Sequence, residues 1–249
     1  MKLSVVIITL NEELNLARAL LSVSGVADEV VVVDSGSTDS TREIAESGGA
    51  RFIAHAWEGY ARQKNFAAAQ AAHDWVLSLD ADEALSPELI EEIRTVKQSA
   101  NEDAAGYSMP RLPYYCGRWI RHSGWYPDRK VRLYDRRRAR WVGEYVHESV
   151  RVNGAIAELR GDLLHYTCDT IEQHRCTVDR YTSLAAQEAH ARDARWALPS
   201  MIVLPPWKFF ETYIVRAGFL DGAAGLTIAR MAACYVYLKY AKLRRLQSA

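Results

Sequence analysis

Apolar residues in the N-terminal third of the chain occur in short continuous runs that show no helical period. The clearest runs are Leu3–Thr9, Glu29–Asp34 and Trp75–Leu79, and a shorter one lies near Arg51–Ala54. Continuous runs of this length are typical of strands that are buried on both faces of a sheet. Helical spacing occupies the intervals between them, so the pattern predicts alternating strands and helices around a mostly parallel sheet.

The intervals also carry signals for where each helix begins. Asn11 is a suitable N-cap for the first helix, the turn 35–40 precedes the second, and the third covers about residues 61–72. The Ser-Pro-Glu segment 86–88 predicts the start of a fourth, because proline is favoured at the first helical position. Four apolar residues are expected to face inward from the first helix: Leu14, Ala17, Leu20 and Leu21.

Acidic residues follow the predicted strands. Asp34 ends the second strand, and Asp80, Asp82 and Glu83 come directly after the run that begins at Trp75. The carboxyl ends of parallel strands meet at one edge of a sheet and form a crevice there. Two aspartates one residue apart on an extended backbone point to the same side, and their hard oxygen atoms suit Mg²⁺ or Mn²⁺ beside phosphates. A solvated turn after a strand is the alternative interpretation of these acids.

The first β-α turn narrows the class of nucleotide site. The segment Thr9-Leu-Asn-Glu-Glu contains none of the glycines that cradle phosphates in a dinucleotide fold or a P-loop. A dinucleotide oxidoreductase and a P-loop kinase are therefore disfavoured. The carboxylates of the crevice favour a metal-bound nucleotide instead.

Composition sets broader limits. The 249 residues are enough for one large α/β domain with an appendage, and 31 basic residues balance 31 acidic ones, which is not the footprint of a nucleic-acid binder. The strand pattern starts after Lys2 without a secretory signal, so a cytoplasmic location is expected. The cysteines at 116, 168, 176 and 234 form no C-x-x-C pair, which favours reduced thiols.

Three N-terminal segments resemble the signatures of family 2 glycosyltransferases: Thr9–Glu13, Val33–Asp39 and Leu79–Glu83. This resemblance implies a GT-A fold, a nucleotide-sugar donor and transfer with inversion. Four later segments are most similar to the branch of lipopolysaccharide-core β-1,4-glucosyltransferases: Gly59–Asn65, Trp125–Asp128, Arg132–Tyr134 and Val146–Glu148. The similarity extends over nearly the whole chain.

The resemblance assigns a set of residues to the nucleotide-sugar site: Thr9, Asn11, Glu12, Asp34, Ser35, Asp39, Lys64 and Asp80. Asp34 is expected to accept hydrogen bonds from the uracil or ribose, and Asp39 to help close that pocket. Helix capping is a compatible interpretation of Asn11 and Asp39. Lys64 is expected to approach the diphosphate unless it lies on a solvated helix face, and the role of Asn65 is open in the same way.

The same resemblance makes Asp82, supported by Asp80, the predicted ligand of Mg²⁺ or Mn²⁺. His165 is a candidate for a third ligand, although no motif identifies it. A zinc site built from His165, Cys168, His174 and Cys176 is disfavoured, because the spacing lacks the close cysteine pairs of structural zinc sites.

An inverting transfer needs a carboxylate that takes the proton of the acceptor hydroxyl. Glu148 is the predicted base, Glu144 and Asp128 are alternatives, and a plain surface acid is a further interpretation. Nearby, seven of the twelve residues from Arg129 to Arg140 are Lys or Arg. This run is interpreted either as a solvated strand face or as a site for phosphate or carboxylate groups of an acidic acceptor.

The predicted architecture is a GT-A catalytic domain over residues 1–195 and a helical extension over 196–249. Trp207, Phe210, Ile214 and Ala217 form one apolar helix face, and Ile228, Met231, Tyr235 and Leu238 form a second. The run 226–241 is too short to span a bilayer of about 30 Å, so the extension is expected to lie on the membrane, helped by its C-terminal Lys and Arg residues. Packing against the catalytic domain or a second subunit is the alternative.

These features lead to one functional hypothesis. The chain is predicted to transfer a hexose, most simply glucose from UDP-glucose, to a lipid-linked lipopolysaccharide-core sugar at the cytoplasmic face of the inner membrane. Another glycolipid or polysaccharide acceptor is an alternative. A non-catalytic module that binds nucleotide sugars or nucleic acid is a hypothesis from a different class.

Overall fold

The computed structural model describes residues 1–99, 103–143, 148–192, 194 and 197–248. In chain order the strands are β1 Leu3–Thr9, β2 Glu29–Asp34, β3 Arg51–Ala54, β4 Trp75–Asp80, β5 Glu83–Leu85, β6 Ala104–Tyr115, β7 Arg118–Trp119, β8 Asp128–Asp135, β9 Ala139–Val142, β10 Ser149–Val152, β11 Ala155–Glu158 and β12 Leu163–Cys168. The α-helices are α1 Leu16–Val23, α2 Thr41–Ser47, α3 Tyr60–Gln70, α4 Pro87–Gln98, α5 Ile171–Ala191, α6 Ala197–Phe210 and α7 Gly222–Gln247.

The chain forms two compact units. The first comprises Met1–Arg111 and Asp128–Tyr166, and the second comprises Leu112–Pro127 and Thr167–Ala249. Helix α5, which falls inside the predicted domain 1–195, therefore groups with α6 and α7. The limits of the catalytic domain remain a prediction, since compactness alone does not say which residues serve catalysis.

The first unit is built on a mixed sheet with the strand order β3-β2-β1-β4-β8-β6-β12-β5. Strands β3, β2, β1 and β4 are parallel, whereas β8 runs antiparallel to β4 and β6 runs antiparallel to β8. Strand β11 pairs with β6, and β9 and β10 form a separate antiparallel pair. The predicted parallel sheet is confirmed for its first four strands.

Both faces of the sheet are covered, which explains the continuous apolar runs. From β1, Val5 and Ile7 pack into a cluster with residues of α1 and α4, whereas Val6 and Ile8 pack on the other face with Ala67 of α3. Alternate side chains of a strand point to opposite faces, so a strand buried on both sides needs an apolar residue at nearly every position.

Helix α1 differs from the prediction. It begins at Leu16 rather than after Asn11, its N-cap is Asn15, and Leu14 and Leu21 are exposed. Leu20 is buried as predicted, but its buried neighbours are Leu16, Ala19 and Val23, and Ala17 is exposed. The reason is that Asn11 has a left-handed backbone conformation, with φ of 54°, and cannot precede a regular helical turn. By contrast, the Ser86 hydroxyl caps α4 by accepting a hydrogen bond from the Leu89 N–H, as predicted.

The second unit is mainly helical. Helix α7 packs against α5 and α6, and a π-helical turn, Glu211–Val215, and a 3₁₀ turn, Gly218–Asp221, connect α6 to α7. The carboxylate of Asp221 accepts hydrogen bonds from the backbone N–H groups of Arg121 and His122, which ties the segment 112–127 to the start of α7. Gly225 is required in α7, because a Cβ there would lie 1.8 Å from the carbonyl oxygen of Gly218.

Helix α7 also corrects the expected length of the last apolar segment. The helical run is not limited to residues 226–241: it has 26 residues, and with the preceding 3₁₀ turn the segment Gly218–Gln247 is long and apolar enough to cross a membrane. No other helix of the described chain passes this test. Length and composition are weak evidence for a membrane span, since a core helix of a soluble protein can have both.

Candidate active site

The register of the parallel strands brings the predicted site residues to one edge of the sheet. Thr9 of β1 is paired with Asp34 of β2, and Ile8 of β1 is paired with Asp80 of β4. The acids at the ends of β2 and β4 therefore flank the end of β1 on its two sides. This is the edge at which the alternating pattern of strands and helices predicted a crevice.

A buried lysine lies at the centre of this edge. The Lys64 side chain on α3 is 1% exposed, and its Nζ lies 2.9 Å from Asp80 Oδ1 and 3.0 Å from Glu148 Oε1. The Trp141 ring adds a cation–π contact, with its centroid 4.4 Å from Nζ. The interpretation of Lys64 as part of a solvated helix face is wrong. Its contact with a diphosphate stays a prediction.

An arginine of the basic run, which the sequence analysis did not assign to the site, completes the network. Arg132 on β8 is buried, and its Nη2 lies 2.8 Å from Asp80 Oδ2 and 2.6 Å from Glu83 Oε1. Glu83 is also buried, and its Oε2 accepts a hydrogen bond of 3.1 Å from the Asp80 N–H. Each oxygen of Asp80 therefore faces a cation, and Glu83 holds both the backbone of Asp80 and the guanidinium that binds its side chain.

These neighbours determine the protonation of the network. Burial by itself raises the pKa of Asp80, but the charges of Arg132 and Lys64 outweigh it and hold that pKa well below the usual range. Burial likewise disfavours the charged form of Arg132, and the carboxylates of Glu83 and Asp80 more than compensate, so the pKa of Arg132 is raised. Asp80 and Arg132 are therefore ionised at neutral pH and hold each other in fixed orientations.

Asp82 lies beyond the end of β4 and has a different environment. Its side chain is 28% exposed, and its Oδ2 lies 3.2 Å from Nε2 of His165 on β12. The backbone reinforces this proximity, because the N–H of Tyr166 donates to the carbonyl oxygen of Asp82 over 2.9 Å. A carboxylate oxygen and an imidazole nitrogen at this distance are both ligand types for a divalent cation.

The donor set therefore fits a cation at Asp82 better than one at Asp80. Mg²⁺ is commonly held by one or two carboxylates together with substrate phosphates and water. Within the described residues, no group of three or more His, Cys, Asp or Glu side chains converges on one point. Asp80 is already paired with two cations, although its Oδ1 has no hydrogen-bond partner among the described residues.

Asp34 organises the loop that follows β2. Its Oδ1 accepts hydrogen bonds from the backbone N–H groups of Gly36, at 2.9 Å, and Ser37, at 2.8 Å, and its Oδ2 accepts one from the Ser37 hydroxyl. Gly36 has a φ of 102°, which favours glycine. The carboxylate is buried and bonded to its own loop, so the predicted contact with uracil or ribose would use its remaining hydrogen-bonding capacity.

Hydrogen bonds join the loops after β1 and β2. Asn11 Oδ1 accepts from the Thr38 N–H over 2.8 Å, and the Glu12 N–H donates to the Thr41 hydroxyl over 2.8 Å. Asp39 Oδ1 accepts from the Thr41 N–H over 3.1 Å at the start of α2, where a capping role was one interpretation. Asn11 does not cap α1 but connects the two loops.

Two further residues at this edge have groups of interest for a ligand. Within the described chain, the Thr9 hydroxyl is buried and has no hydrogen-bond partner. Ser35 Oγ accepts a hydrogen bond of 3.0 Å from Gln63 Nε2.

The pKa of Glu12 is raised, first by burial and then by the negative charges of Asp82 and other nearby acids. The acids at this edge therefore oppose the ionisation of Glu12.

Comparison with known proteins identifies the family. The sequence model described as "Glycosyl transferase family 2" matches residues 4–157, which is more than half of the chain. The chain belongs to glycosyl transferase family 2. Its GT-A fold is shared by a mycobacterial protein of known crystal structure, which is 17% identical, has a TM-score of 0.50 and matches over 74% of each chain.

Relatives of this glycosyltransferase match over nearly their whole length. A Rickettsia typhi protein named "uncharacterized glycosyltransferase" is 35% identical over 98% of this chain and 87% of its own. The lipopolysaccharide core biosynthesis glycosyltransferase LpsC of Rhizobium meliloti is 32% identical over 97% of this chain and 91% of its own. The glycosyltransferase activity inferred from the motifs is supported by these matches.

In this family 2 enzyme the candidate bases have different surroundings. Glu148 is 17% exposed and shares Lys64 with Asp80. Asp128 is paired with Arg111 over 2.7 Å and Lys130 over 3.0 Å; burial raises its pKa, but the two cations lower it overall. Glu144, the other alternative, lies outside the described residues. Glu148 is thus the candidate that belongs to the same network as Asp80.

The basic run of the glycosyltransferase is largely used within the protein. Besides Arg132, Arg129 donates to the Leu159 carbonyl oxygen over 2.7 Å, and Arg137 lies 2.7 Å from Asp135 Oδ2. Four of its seven basic residues lie on strands β8 and β9, and the other three, residues 136–138, lie in the turn between them. These contacts favour a structural role for much of the run. The proposal of a site for acidic acceptor groups gains no direct support from them.

Asn65 is another residue whose role was open. Its side-chain amide donates to the Trp141 carbonyl oxygen and accepts from the Trp141 N–H, both over 2.9 Å. This pair of hydrogen bonds attaches α3 to β9. Asn65 therefore has a structural role beside Lys64. The sequence signal for the burial of α3 is the absence of charged residues from Ala67 to Ala72.

Proposed function

We propose that this enzyme transfers glucose, with inversion, from UDP-glucose to a sugar of a lipid-linked lipopolysaccharide core. The observation that carries the proposal is the 32% identity to LpsC, named as a lipopolysaccharide core biosynthesis glycosyltransferase, over 97% of this chain. The glycosyltransferase class follows from the family, whereas the donor and acceptor are the proposed part. Another glycolipid or a polysaccharide is the alternative acceptor.

The proposed donor site is the edge formed by the ends of β1, β2 and β4. Thr9 offers a buried hydroxyl without a partner, and Asp34 lies opposite it in the β1–β2 register. The joined loops contribute the remaining proposed contacts: Asn11, Glu12, Ser35 and Asp39. Lys64 and Asp80 lie at the diphosphate side in this proposal, and the hydrogen bonds that hold them would keep the site in shape before the donor binds.

Asp82 is the proposed ligand of a divalent cation, Mg²⁺ or Mn²⁺, with His165 as its neighbour and Asp80 behind it. Such a cation, when bound, would neutralise negative charge on the departing diphosphate. The support for Asp82 is that its ion-pair partner among the described residues is an imidazole, that of His165, rather than a lysine or an arginine. Asp80 fits a supporting role, because Lys64 and Arg132 already occupy its oxygens.

Glu148 is the proposed catalytic base. In the transfer, the acceptor oxygen forms a bond to the anomeric carbon while the bond from that carbon to the diphosphate oxygen breaks, and the carboxylate takes the hydroxyl proton. Lys64 binds one oxygen of Glu148 and leaves the other for this task.

The acceptor implies where the enzyme works. A lipid-linked core is presented at a membrane, and we propose that the enzyme associates peripherally with the cytoplasmic face of the inner membrane through residues 196–249. The apolar helix faces and C-terminal basic residues of this extension support the proposal.

A donor panel with product analysis tests the proposed reaction. The purified enzyme is incubated with Mn²⁺, a truncated lipopolysaccharide core and one UDP-sugar at a time, and the products are analysed by mass spectrometry. We expect one hexose to be added from UDP-glucose and an inverted linkage by NMR. Preference for another donor, or transfer only to a different class of acceptor, would contradict the proposal. In a parallel thermal-shift assay, stabilisation should require both UDP and Mn²⁺.

A further inference from the structure

Helix α6 in the second unit exposes mainly apolar side chains. Every residue of α6 that is exposed is apolar: Leu198, Pro199, Ile202, Val203, Pro206, Trp207 and Phe210. Ile202 is 63% exposed and Trp207 is 57% exposed, so these side chains are not marginal cases. A helix on the surface of a soluble protein normally turns its charged and polar residues outward.

The exposed apolar surface continues beyond α6. The two turns that follow it expose four more large apolar side chains: Ile214, Val215, Phe219 and Leu220. We call these four residues and the seven of α6 the apolar strip. The fourteen residues of α6 extend over about 21 Å, so the exposed apolar side chains of the strip are distributed along this length and are not an isolated residue. Contiguous apolar surfaces of this kind mark sites of interaction with proteins or lipids.

The segment that carries the strip has more basic than acidic residues. Residues 197–248 contain seven Lys or Arg residues and two acids, a net charge of +5, although the whole chain has a net charge of zero. Both acids are engaged: Glu211 lies 2.9 Å from Lys208 and 3.0 Å from Arg216, and the Asp221 side chain is 4% exposed. The outer surface of this segment is therefore cationic and apolar, which is complementary to an anionic lipid surface.

Helix α7 has the length of a membrane span, but its contacts tie it to the protein. It buries Gly225, Ile228, Ala229 and Leu243 within the second unit. Lys242 of α7 also binds α5, with its Nζ 2.6 Å from Asp179 Oδ1 and 2.9 Å from Thr182 Oγ1. Surrounding α7 with lipid would break these contacts, whereas lipid can cover α6 without breaking any.

We propose that α6 lies in the plane of an anionic bilayer, with the apolar strip inserted at the boundary between headgroups and acyl chains, while α7 remains packed in the protein. Trp207 and Phe210 are of the residue types that favour this boundary. The side chains of Lys208 and Arg216 are long enough to reach the headgroups from the same segment. The inference rests on the membrane association in the proposed function and adds which element enters the lipid and in which orientation.

The test measures binding to lipid without donor or acceptor, so it does not depend on the proposed reaction. The full-length protein is mixed with vesicles of phosphatidylglycerol and phosphatidylethanolamine, or of phosphatidylcholine alone, and sedimented. The double variant Trp207→Gln with Phe210→Gln removes two large side chains of the strip. Tyr237→Gln is the matched control, because Tyr237 is an exposed aromatic residue of α7. Thermal melting checks that every variant is folded.

We expect the wild type to bind the anionic vesicles and to bind phosphatidylcholine much more weakly. The double variant should lose roughly 30-fold in partitioning, from the loss of two partly inserted aromatic side chains. Tyr237→Gln should bind like the wild type. Equal losses in the double variant and the control, or equal binding to both vesicle types, would overturn the proposal.

Sedimentation velocity without vesicles distinguishes insertion of the strip into lipid from dimerisation through the strip. A monomer whose vesicle binding depends on the strip supports insertion into lipid. A dimer that the double variant converts to a monomer would overturn the proposal, because a second copy of the chain would then be what covers the strip. Failure of the donor panel with intact vesicle binding would reject the proposed reaction and leave the membrane orientation of α6 standing.

Discussion

The two compact units depart from the usual distribution of polar and apolar side chains in opposite ways. In the first unit, Lys64, Glu83 and Arg132 are charged and buried. In the second, α6 directs large apolar side chains such as Ile202 and Trp207 to the outside. A buried charge is costly unless it is paired, and an exposed apolar surface is unfavourable in water. Departures of both kinds are expected where function competes with stability.

The two regions differ in whether their unusual side chains find partners within the protein. The buried charges of the first unit are paired with one another, since the oxygens of Asp80 face Lys64 and Arg132 and Glu83 binds the same arginine. Among the described residues, Asp80 Oδ1 and Arg132 Nε nevertheless lack a hydrogen-bond partner. The apolar strip has no comparable partner within the described residues of its unit. The charges of the first unit therefore form a self-contained network, beside which Asp82 is open to a ligand. The apolar strip of the second unit requires an external surface to cover it.

The largest effect should come from Asp82, the proposed ligand of the cation. Asp82→Asn is expected to reduce kcat roughly 10³-fold, because the proposed cation would lose its charged ligand. The melting temperature should change little, since the side chain is partly exposed. Asp74→Asn, at the other end of β4, is the matched control and should keep normal turnover. Metal-dependent activity near the wild-type level in Asp82→Asn would remove Asp82 from the site.

Removing a buried charge should break the self-contained network. Lys64→Met leaves Asp80 and Glu148 without their shared cation, and the free energy of unfolding should fall by about 3 kcal/mol in urea denaturation. Ile202→Gln, which makes the opposite kind of change in the second unit, should leave stability almost unaltered because the residue is largely exposed. Similar losses in both variants would show that the comparison between the regions is wrong.

The proposed base gives a smaller effect. Glu148→Gln preserves the size of the side chain but not its basicity, so kcat should fall roughly 10²-fold. The affinity for UDP, measured by calorimetry, should stay the same. Glu158→Gln is a control, because Glu158 is an exposed acid on the neighbouring strand β11. If UDP binding decreased as much as turnover, a structural role of Glu148 would be the better interpretation.

The smallest effect concerns Glu12, whose ionisation is opposed by burial and by nearby acids. The folded-state pKa of Glu12 is raised by burial and nearby acids, so the folded protein loses stability as pH rises from about 4 through that pKa. Glu12→Gln cannot ionise, and its melting temperature should slightly exceed that of the wild type at neutral pH. The difference should vanish on acidification to about pH 4. A difference that instead increases in acid would contradict the assigned cause.

The fold was predictable where local pattern and tertiary context agree. Strands β1 and β2 match the predicted runs residue for residue, and Ser86 caps α4, because an apolar run and a cap are local signals. The start of α1 was missed for the opposite reason. Asn11 forms its decisive hydrogen bond with Thr38, 27 residues away, and that contact overrides its local preference for an N-cap position.

The candidate site was predictable to the same extent. The positions of Asp34 and Asp80 at strand ends indicated their common edge before the structure did. The burial of Lys64 was not predictable, because it depends on Glu148, 84 residues away in the sequence. The burial of Arg132 was not predictable from the basic run, because Arg129 on the same strand β8 is exposed. The roles of these residues in catalysis stay predictions.

The two hydrogen bonds between Asn65 and the backbone of Trp141 have a mechanical consequence. An amide side chain that satisfies both the N–H and the C=O of one residue acts as an extra rung of β-ladder, and it links a helix to a strand. Sliding α3 along its axis by one turn, about 5.4 Å, would break both bonds together. Helix α3 and β9 must therefore move as one rigid body, and any conformational change that admits a substrate has to hinge at other segments of the chain.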